Sequence, residues 1–377
     1  MARPYDAIII GTGQSGPALA GRLAGAGQRV AVIERDRFGG TCVNYGCTPT
    51  KALVASARAA HMARRAADFG VVIDGPVRID MARVKARKDA IAGASNEGVE
   101  KWMKGLEGAD VYEGHASFEG PRQVRVGEER LEAGQIFINV GARAAIPPID
   151  GLADTAFLTN ATLLDLETLP EHLIVLGGGY IGVEFAQVFR RFGSRVTVID
   201  RSRLMSNEDP DVSAAITEIF ESEGIEVLTD VEVRKVAEGD GGMTVTLAGD
   251  GKREVAGSHL LAALGRKPNT DDLGLEHAGI EVDGKGFVRV DDQLRTTAEG
   301  VWAMGDCNGR GAFTHTSYND YEIVAANLLS GENRRVSDRI VTYAAFIDPP
   351  FARVGLNETD VRKAGRPALV ARLPMSE

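Results

Sequence analysis

Two cysteines, Cys42 and Cys47, stand close together in a loop that begins with Gly39 and Gly40. A chain with only three cysteines is unlike the cysteine-rich chains that use such pairs as structural disulfides. The pair is typical of a redox centre that cycles between dithiol and disulfide. Helical sequence follows Cys47, and the N-terminus of a helix would lower the pKa of that thiol. The alternative is a pair of buried free thiols without redox chemistry.

A glycine pattern, Gly11, Gly13 and Gly16, lies upstream between an apolar strand-like run and an alanine-rich helical stretch. The first glycine permits a tight turn, the second lets the backbone approach a pyrophosphate, and the third allows close helix–strand packing. The start of the helix offers N–H groups and partial positive charge to phosphates. Glu34 ends the next strand at the spacing of an acid that binds ribose hydroxyls. The pattern predicts a dinucleotide-binding unit.

The same arrangement recurs at Gly177, Gly179 and Gly182, with Asp200 at the end of the following strand. One such pattern is weak evidence, whereas two complete copies, each framed by strands and closed by an acid, are strong evidence. The alternative is a pair of glycine-rich turns that bind no ligand. A duplicated nucleotide-binding unit therefore organises the chain.

The remaining elements must position these residues. Helical spacing runs over 52–68 and 81–106, and alternation typical of strands runs over 111–140. Residues 222–262 are rich in strand-forming sequence, and 318–329 has helical spacing. Strands that alternate with helices in this way predict an α/β fold.

The composition is that of an ordinary globular chain, with 44% hydrophobic and 25% charged residues. The 377 residues are enough for two or three domains. The net charge of −10 argues against nucleic-acid binding, which usually needs a basic excess. No apolar run approaches the roughly 20 residues that cross a bilayer, and the first residues do not form a signal peptide. We expect a cytoplasmic protein without nucleic-acid partners, membrane partners or a metal site.

The segment from Gly39 to Lys51, with the order Gly-Gly-Thr-Cys-Val-Asn-Tyr-Gly-Cys-Thr-Pro-Thr-Lys, resembles the active-site segment of the class I pyridine nucleotide-disulfide oxidoreductases. That family includes dihydrolipoamide dehydrogenase, glutathione reductase and mercuric reductase. The resemblance extends over nearly the whole chain. It implies an α/β fold with two Rossmann-like three-layer dinucleotide-binding domains, the first for FAD and the second for NAD(P)H.

The resemblance also implies a domain division. The FAD-binding domain would comprise 1–150 and 272–337, and the NAD(P)-binding domain, 151–271, would be inserted between them. Residues 338–377 would form an incomplete α+β interface domain.

In the family, the interface domain carries a His–Glu pair that acts across a homodimer as general base. Here its first strand is expected at 351–356, its first helix at 358–365 and its second strand at 368–373. No histidine lies beyond His315. We therefore expect an open, poorly packed remnant and an impaired homodimer, and a truncated gene is the favoured explanation.

The resemblance further implies the site residues. Those of the redox centre are Cys42, Cys47, Lys51 and Glu184. Those that bind the cofactors are Gly11, Gly13, Gly16, Glu34, Lys51, Gly114, Asp306 and Phe313, together with Gly177, Gly179, Tyr180, Gly182, Asp200, Gly265 and Arg266.

Within the redox centre, the resemblance implies that Cys47 faces the flavin as a charge-transfer thiolate and that Cys42 attacks the substrate. Lys51 and Glu184 would lie at the reactive edge of the flavin, where a cation stabilises developing charge. The alternative is an ordinary ion pair between domains. Tyr180 would cover the nicotinamide pocket, or else pack in the core beside the glycine turn.

The coenzyme and the substrate remain open at this level. Asp200 favours NADH because a carboxylate repels a 2′-phosphate, whereas Arg201 and Arg203 either grip that phosphate or form a solvated face. We predict that electrons pass from NAD(P)H through FAD to Cys42–Cys47 and on to a small-molecule disulfide or metal-thiolate, as in the mercuric-reductase-like branch. The alternatives are a dihydrolipoamide dehydrogenase- or glutathione reductase-like activity, and an FAD-binding remnant with little disulfide reductase activity.

Overall fold

The computed structural model describes residues 2–249 and 253–374. Within these ranges the strands are β1 Arg3–Ile10, β2 Val30–Glu34, β3 Ala109–Glu113, β4 Ala116–Gly120, β5 Gln123–Val126, β6 Glu129–Ile138, β7 Ala142–Ala144, β8 His172–Leu176, β9 Arg195–Ile199, β10 Glu226–Leu228, β11 Val233–Gly239, β12 Gly242–Leu247, β13 Glu254–Gly257, β14 His259–Ala262, β15 Arg266–Pro268, β16 Val301–Ala303, β17 Thr342–Ala345 and β18 Phe351–Val354. The α-helices are α1 Ser15–Gly25, α2 Gly40–Asn44, α3 Cys47–Arg64, α4 Met81–Lys104, α5 Tyr180–Phe192, α6 Pro210–Ser222, α7 Thr314–Ser330 and α8 Glu358–Lys363.

The first sheet has the strand order β3-β2-β1-β6-β5-β4, and β16 also pairs with β6. Strands β3, β2, β1, β6 and β16 are parallel, whereas β4 and β5 form antiparallel pairs next to β6. Residues 7–10 of the central strand β1 are all buried. Parallel strands covered on both faces need such continuous apolar runs, which is why this segment does not alternate.

The second sheet is fully parallel, with the order β10-β9-β8-β14, and a three-stranded antiparallel sheet, β11-β12-β13, lies next to it in the chain. The first sheet draws its strands from residues 3–138 and 301–303, so the second sheet falls between them in sequence. The parallel strands of both sheets are joined by helices, which confirms the α/β class. The division into three domains with the boundaries given above stays a prediction.

The same glycine turn begins the first helix of each unit. Gly11 and Gly177 have φ of +102° and +105°, and a Cβ on either would lie 2.4 Å from a backbone oxygen of a neighbouring strand end. Gly16 and Gly182 allow the helix to sit against that turn, because a Cβ there would lie 2.3 Å and 1.9 Å from the carbonyl oxygen of the turn glycine. These contacts place the N-terminus of α1 at the end of β1 and that of α5 at the end of β8.

The C-terminal segment differs from the expectation. Strand β18 and helix α8 form near the predicted positions, but β17 is an additional strand that pairs with β18. The strand expected at 368–373 is wrong, because these residues have no regular structure. The side chains of Leu369 and Leu373 are exposed there, and a strand needs a hydrogen-bonded neighbour and a covered face.

The β17–β18 hairpin packs on α5. Ala345 and Ile347 are buried in the same apolar cluster as Phe185 and Val188 of that helix. The anchored end of the hairpin thus lies close to the start of the second nucleotide unit. Among the helices of the described residues, none is long and apolar enough to cross a membrane.

The glycine contact predicts a matched pair of substitutions in α5 and its cap. We expect Gly182→Ala to cost about 1–3 kcal/mol of stability, because the new Cβ would overlap a carbonyl oxygen. Gly179→Ala is the control, since nothing lies within 4 Å of its Cβ and its φ is −75°. Thermal unfolding should show a lower Tm for Gly182→Ala alone. Equal melting of the two variants would contradict the packing role.

Candidate redox and dinucleotide site

A cavity of about 1030 Å³ extends from the first glycine turn to the C-terminal hairpin. Most of the predicted site residues line it. They are Gly11, Gly13, Glu34, Cys42, Cys47, Lys51, Gly114, Tyr180, Glu184, Arg266, Asp306 and Phe313. The others lie outside its wall: Gly16 at the turn beneath α1, and Gly177, Gly179, Gly182, Asp200 and Gly265 around the second glycine turn.

The acid that ends β2 is held against the first glycine turn. The Glu34 carboxylate accepts hydrogen bonds from the Thr12 N–H at 2.9 Å and the Thr12 hydroxyl at 2.5 Å. It also accepts the N–H groups of Arg35 and Asp36 at 2.9 and 3.0 Å. The backbone N–H of Gly114 donates to the Glu34 carbonyl at 2.7 Å, which brings the β3 end to the same place. The carboxylate is therefore oriented before any ribose arrives.

The second acid repeats this arrangement. The Asp200 carboxylate accepts the Gly178 N–H at 2.6 Å, and also the N–H and hydroxyl of Ser202 at 2.8 and 2.9 Å. In both units, the bond reaches the residue that follows the first glycine of the turn. The two predicted ribose-binding acids thus have the same local geometry.

The cysteine loop is shaped by its glycines and by one asparagine. Gly39 has φ +90°, and a Cβ there would lie 2.7 Å from the Val43 side chain. The buried Asn44 side chain donates to the carbonyl oxygens of Phe38 and Gly40 at 2.9 and 3.0 Å. Helix α3 then begins at Cys47 itself. The loop holds Cys42 beside the first residue of this helix.

The two thiols influence each other's ionisation. Cys42 and Cys47 are free, and both line the cavity. The neighbouring Cys42 thiol lowers the pKa of Cys47 to about 7, against the opposing effect of burial, and the Lys51 ammonium lowers it further. The same interaction, with burial, raises the pKa of Cys42 well above its ordinary value. Of the two sulfurs, Cys47 is therefore the one that ionises more readily.

An ion pair joins α3 to α5 beside the thiols. Lys51 Nζ contacts the Glu184 carboxylate, whose side chain is only 6% exposed. The other oxygen of Glu184 accepts the Phe346 N–H at 2.8 Å, and Lys51 Nζ lies 4.5 Å from the centre of the Phe346 ring. Sequence reasoning missed Phe346, since no local pattern indicates that the chain after β17 returns to this helix.

Aromatic rings form the part of the cavity wall next to the start of α5. The Tyr180 ring lies 5.0 Å from Phe313, which stacks on Tyr343 at 5.2 Å with an interplanar angle of 9°. Burial raises the pKa of Tyr180 to about 12, so the phenol is neutral. Tyr180 therefore lines the cavity as well as packing beside its helix start. Tyr343 is a second cavity residue that the sequence did not reveal.

Asp306 and Arg266 test whether the cavity fits a polar cofactor. Burial raises the pKa of Asp306 from its ordinary value, and Arg266 opposes that effect. Arg266 Nε is buried, lies 3.4 Å from the Asp306 carboxylate and has no hydrogen-bond partner among the described residues. Buried polar atoms of this kind need partners. A long cavity with an oriented acid at one end and the buried Arg266 Nε without a hydrogen-bond partner in its wall fits FAD.

Residues 5–320 match the family described as pyridine nucleotide-disulphide oxidoreductase. The chain belongs to this family. A mercuric reductase of Streptomyces lividans is 38% identical over 367 residues, which cover 96% of this chain and 77% of the relative. A dihydrolipoyl dehydrogenase of Acholeplasma laidlawii is 34% identical, with 85% of this chain and 95% of the relative covered.

Among solved structures, the chain is similar to the Cu(II) complex of the HOCl-induced flavoprotein disulfide reductase RclA from Escherichia coli. The TM-score is 0.87 at 36% identity, and the match covers 96% of this chain and 80% of the other. The protein is thus a flavoprotein oxidoreductase that uses FAD and NAD(P)H. In the part of the chain that the structure describes, no group of three or more His, Cys, Asp or Glu side chains is arranged to hold a metal ion.

The influence of Cys42 on Cys47 predicts how Cys47 titrates. In wild type, alkylation of Cys47 by iodoacetamide should follow an apparent pKa of about 7. Cys42→Ser replaces the neighbouring thiol by a weaker acid with a shorter side-chain bond, so the pKa of Cys47 should rise and alkylation at about pH 6 should slow. Tandem mass spectrometry separates the two sites. A Cys47 titration unchanged by Cys42→Ser would contradict this influence.

Proposed function

We propose that this chain is an NADH-dependent flavoprotein reductase in which the Cys42–Cys47 pair passes electrons to a thiol-bound soft metal ion. The observation that carries the proposal is the placement of two free thiols, Cys42 and Cys47, beside Lys51 in the wall of the long cavity that fits FAD. Bound FAD would accept a hydride from the nicotinamide and pass an electron pair to the cysteines. The roles of the individual residues below belong to this proposal.

Different residues bind the cofactor and carry the electrons. Glu34, Asp306 and the first glycine turn hold the FAD, and the Lys51 ammonium offers positive charge beside the thiols. Reduction of a Cys42–Cys47 disulfide to the Cys47 thiolate and the Cys42 thiol takes two electrons and one proton. Cys42 is then the thiol that meets the substrate. A metal ion reduced by two electrons, or two ions reduced by one electron each, regenerates the disulfide and releases that one proton.

Two considerations favour a metal ion as substrate. Thiolate sulfur is the soft ligand that selects soft metal ions. Relatives with 38% and 36% identity are named as a mercuric reductase and as a Cu(II)-bound flavoprotein disulfide reductase. The second candidate is reduction of a small disulfide by thiol–disulfide exchange, which the similarity to dihydrolipoyl dehydrogenase supports.

The second unit favours NADH. The Asp200 carboxylate lies at the end of β9 and would repel a 2′-phosphate. Arg203, one of the two residues considered for gripping that phosphate, donates instead to the Glu208 carbonyl at 2.7 Å and the Ser213 hydroxyl at 3.1 Å. These hydrogen bonds of the Arg203 guanidinium stabilise the loop after β9. The cytoplasmic location and the impaired homodimer stay predictions from the sequence.

The substrate proposal predicts that substitution of either cysteine abolishes metal reduction but not dye reduction. With NADH, wild type should reduce thiol-bound Hg(II), or Cu(II) supplied without added thiol, and Cys42→Ser and Cys47→Ser should lose this activity by more than roughly 10²-fold. Both variants should still reduce a dye such as ferricyanide, because the dye would take electrons from FAD before they reach the cysteines. Cys307→Ser, at a buried thiol that does not line the cavity, is the control. Faster turnover of lipoamide or glutathione disulfide than of either metal would favour the second candidate, and dye reduction alone would support the FAD-binding remnant.

The coenzyme proposal is tested separately. The kcat/KM for NADH should exceed that for NADPH by about tenfold or more, since like charges at a binding surface cost several kcal/mol. Asp200→Asn keeps an acceptor for the Gly178 N–H but removes the charge, so it should narrow this ratio. Arg201→Ala should leave the ratio unchanged. A preference for NADPH that Arg201→Ala abolishes would overturn the assignment.

A further inference from the structure

Three side chains on one face of α5 bind a short stretch of the chain after β17. Glu184 accepts the Phe346 N–H at 2.8 Å, and Gln187 exchanges two hydrogen bonds with the Asp348 backbone at 2.8 and 2.9 Å. Arg191 completes the row by pairing with the Asp348 carboxylate at 2.8 Å. Residues spaced three and four apart share a helix face, so this row holds the segment parallel to α5.

Side-chain burial alternates along residues 345–347, and Phe346 is the residue that faces the cavity. Ala345 and Ile347 are 0% and 4% exposed and lie in the core beside α5. Phe346, between them, is 50% exposed and lines the cavity. Because its two neighbours are buried against α5, the Phe346 ring is left on the cavity side. The α5 face thus determines where Phe346 stands.

Phe346 contacts both members of the ion pair in different ways. Its N–H binds the Glu184 carboxylate, and its ring lies beneath the Lys51 ammonium at 4.5 Å. A lysine ammonium is a point charge on a flexible four-carbon stem, and an aromatic face restrains it by cation–π attraction. Without the ring, water would surround more of the ammonium and screen its charge.

We propose that Phe346 is a positioning residue, whose ring and N–H hold Lys51 and Glu184 so that the ammonium charge stays beside Cys47. The inference rests on the proposed function only in treating Cys47 and Lys51 as parts of one redox centre. Phe346 acts through Lys51 and needs no contact with substrate. The position of the C-terminal hairpin on α5 is thereby linked to the reactivity of the thiolate.

The test measures thiolate reactivity in the purified flavoprotein, without NADH or substrate. The protein is reduced, desalted anaerobically and treated with iodoacetamide across a pH range, and Cys47 modification is followed by tandem mass spectrometry. Phe346→Ala should slow alkylation by about two- to fivefold at about pH 6, the size of an exposed cation–π contact, and have little effect at high pH. Lys51→Met should slow it at least as much. Phe346→Tyr, which keeps a ring, should behave as wild type.

Two internal controls separate positioning from unfolding. Leu356→Ala removes another exposed apolar side chain just after β18 and should leave the titration unchanged. Cys307 is fully buried, and burial raises its pKa to about 12, so its alkylation reports loss of the fold. A wild-type titration in Phe346→Ala or in Lys51→Met would overturn the proposal, as would equal slowing in Phe346→Tyr. Because no turnover is measured, failure of the metal or disulfide activity would show separately.

Discussion

The contact between Lys51 and Glu184 is the constraint around which the site is arranged. Lys51 lies one turn after Cys47 in α3, and Glu184 lies one turn after the start of α5, so the pair joins the cysteine helix to the second nucleotide unit. A carboxylate that is 6% exposed is costly to bury unless it is paired and hydrogen-bonded. Glu184 meets this condition with one oxygen on Lys51 and the other on the Phe346 N–H. Loss of any partner would leave a buried charge unmet.

The two nucleotide-binding units have the same local arrangement of glycine turn and acid. In each, a glycine at positive φ ends a buried strand, and the acid of the next strand accepts the N–H that follows this glycine. The acids therefore stabilise the two glycine turns, and their orientation does not depend on a bound ribose. The units differ in what surrounds them. Glu34 lines the long cavity, whereas Asp200 lies outside it beside a loop that Arg203 braces.

Much of this arrangement could be predicted from the sequence, since it depends on local spacing. The two glycine patterns, their acids and the α/β class follow from residues that are near in sequence. The low pKa of Cys47 was predicted from the helix that follows it, but its largest cause is the neighbouring Cys42 thiol. Spacing alone does not reveal which of two loop thiols ionises first.

The rest depends on contacts between distant segments, which no local pattern encodes. Phe346 reaches Lys51 because α5 binds the backbone after β17, and Tyr343 stacks on Phe313 for the same reason. The strand expected at 368–373 from the family resemblance was wrong, because a strand forms only when another strand lies beside it. The C-terminal segment is therefore where sequence reasoning was least successful.

The central claim is a continuous electron path from the nicotinamide through FAD to Cys42 and Cys47. Anaerobic titration of the purified protein with NADH, recorded by visible absorbance, tests it most directly. The account predicts that a long-wavelength band from contact between the Cys47 thiolate and the flavin appears after uptake of two electrons, and that Cys47→Ser abolishes this band. Direct bleaching of the flavin without the band in wild type would contradict the account, because electrons would then stop short of the cysteine pair.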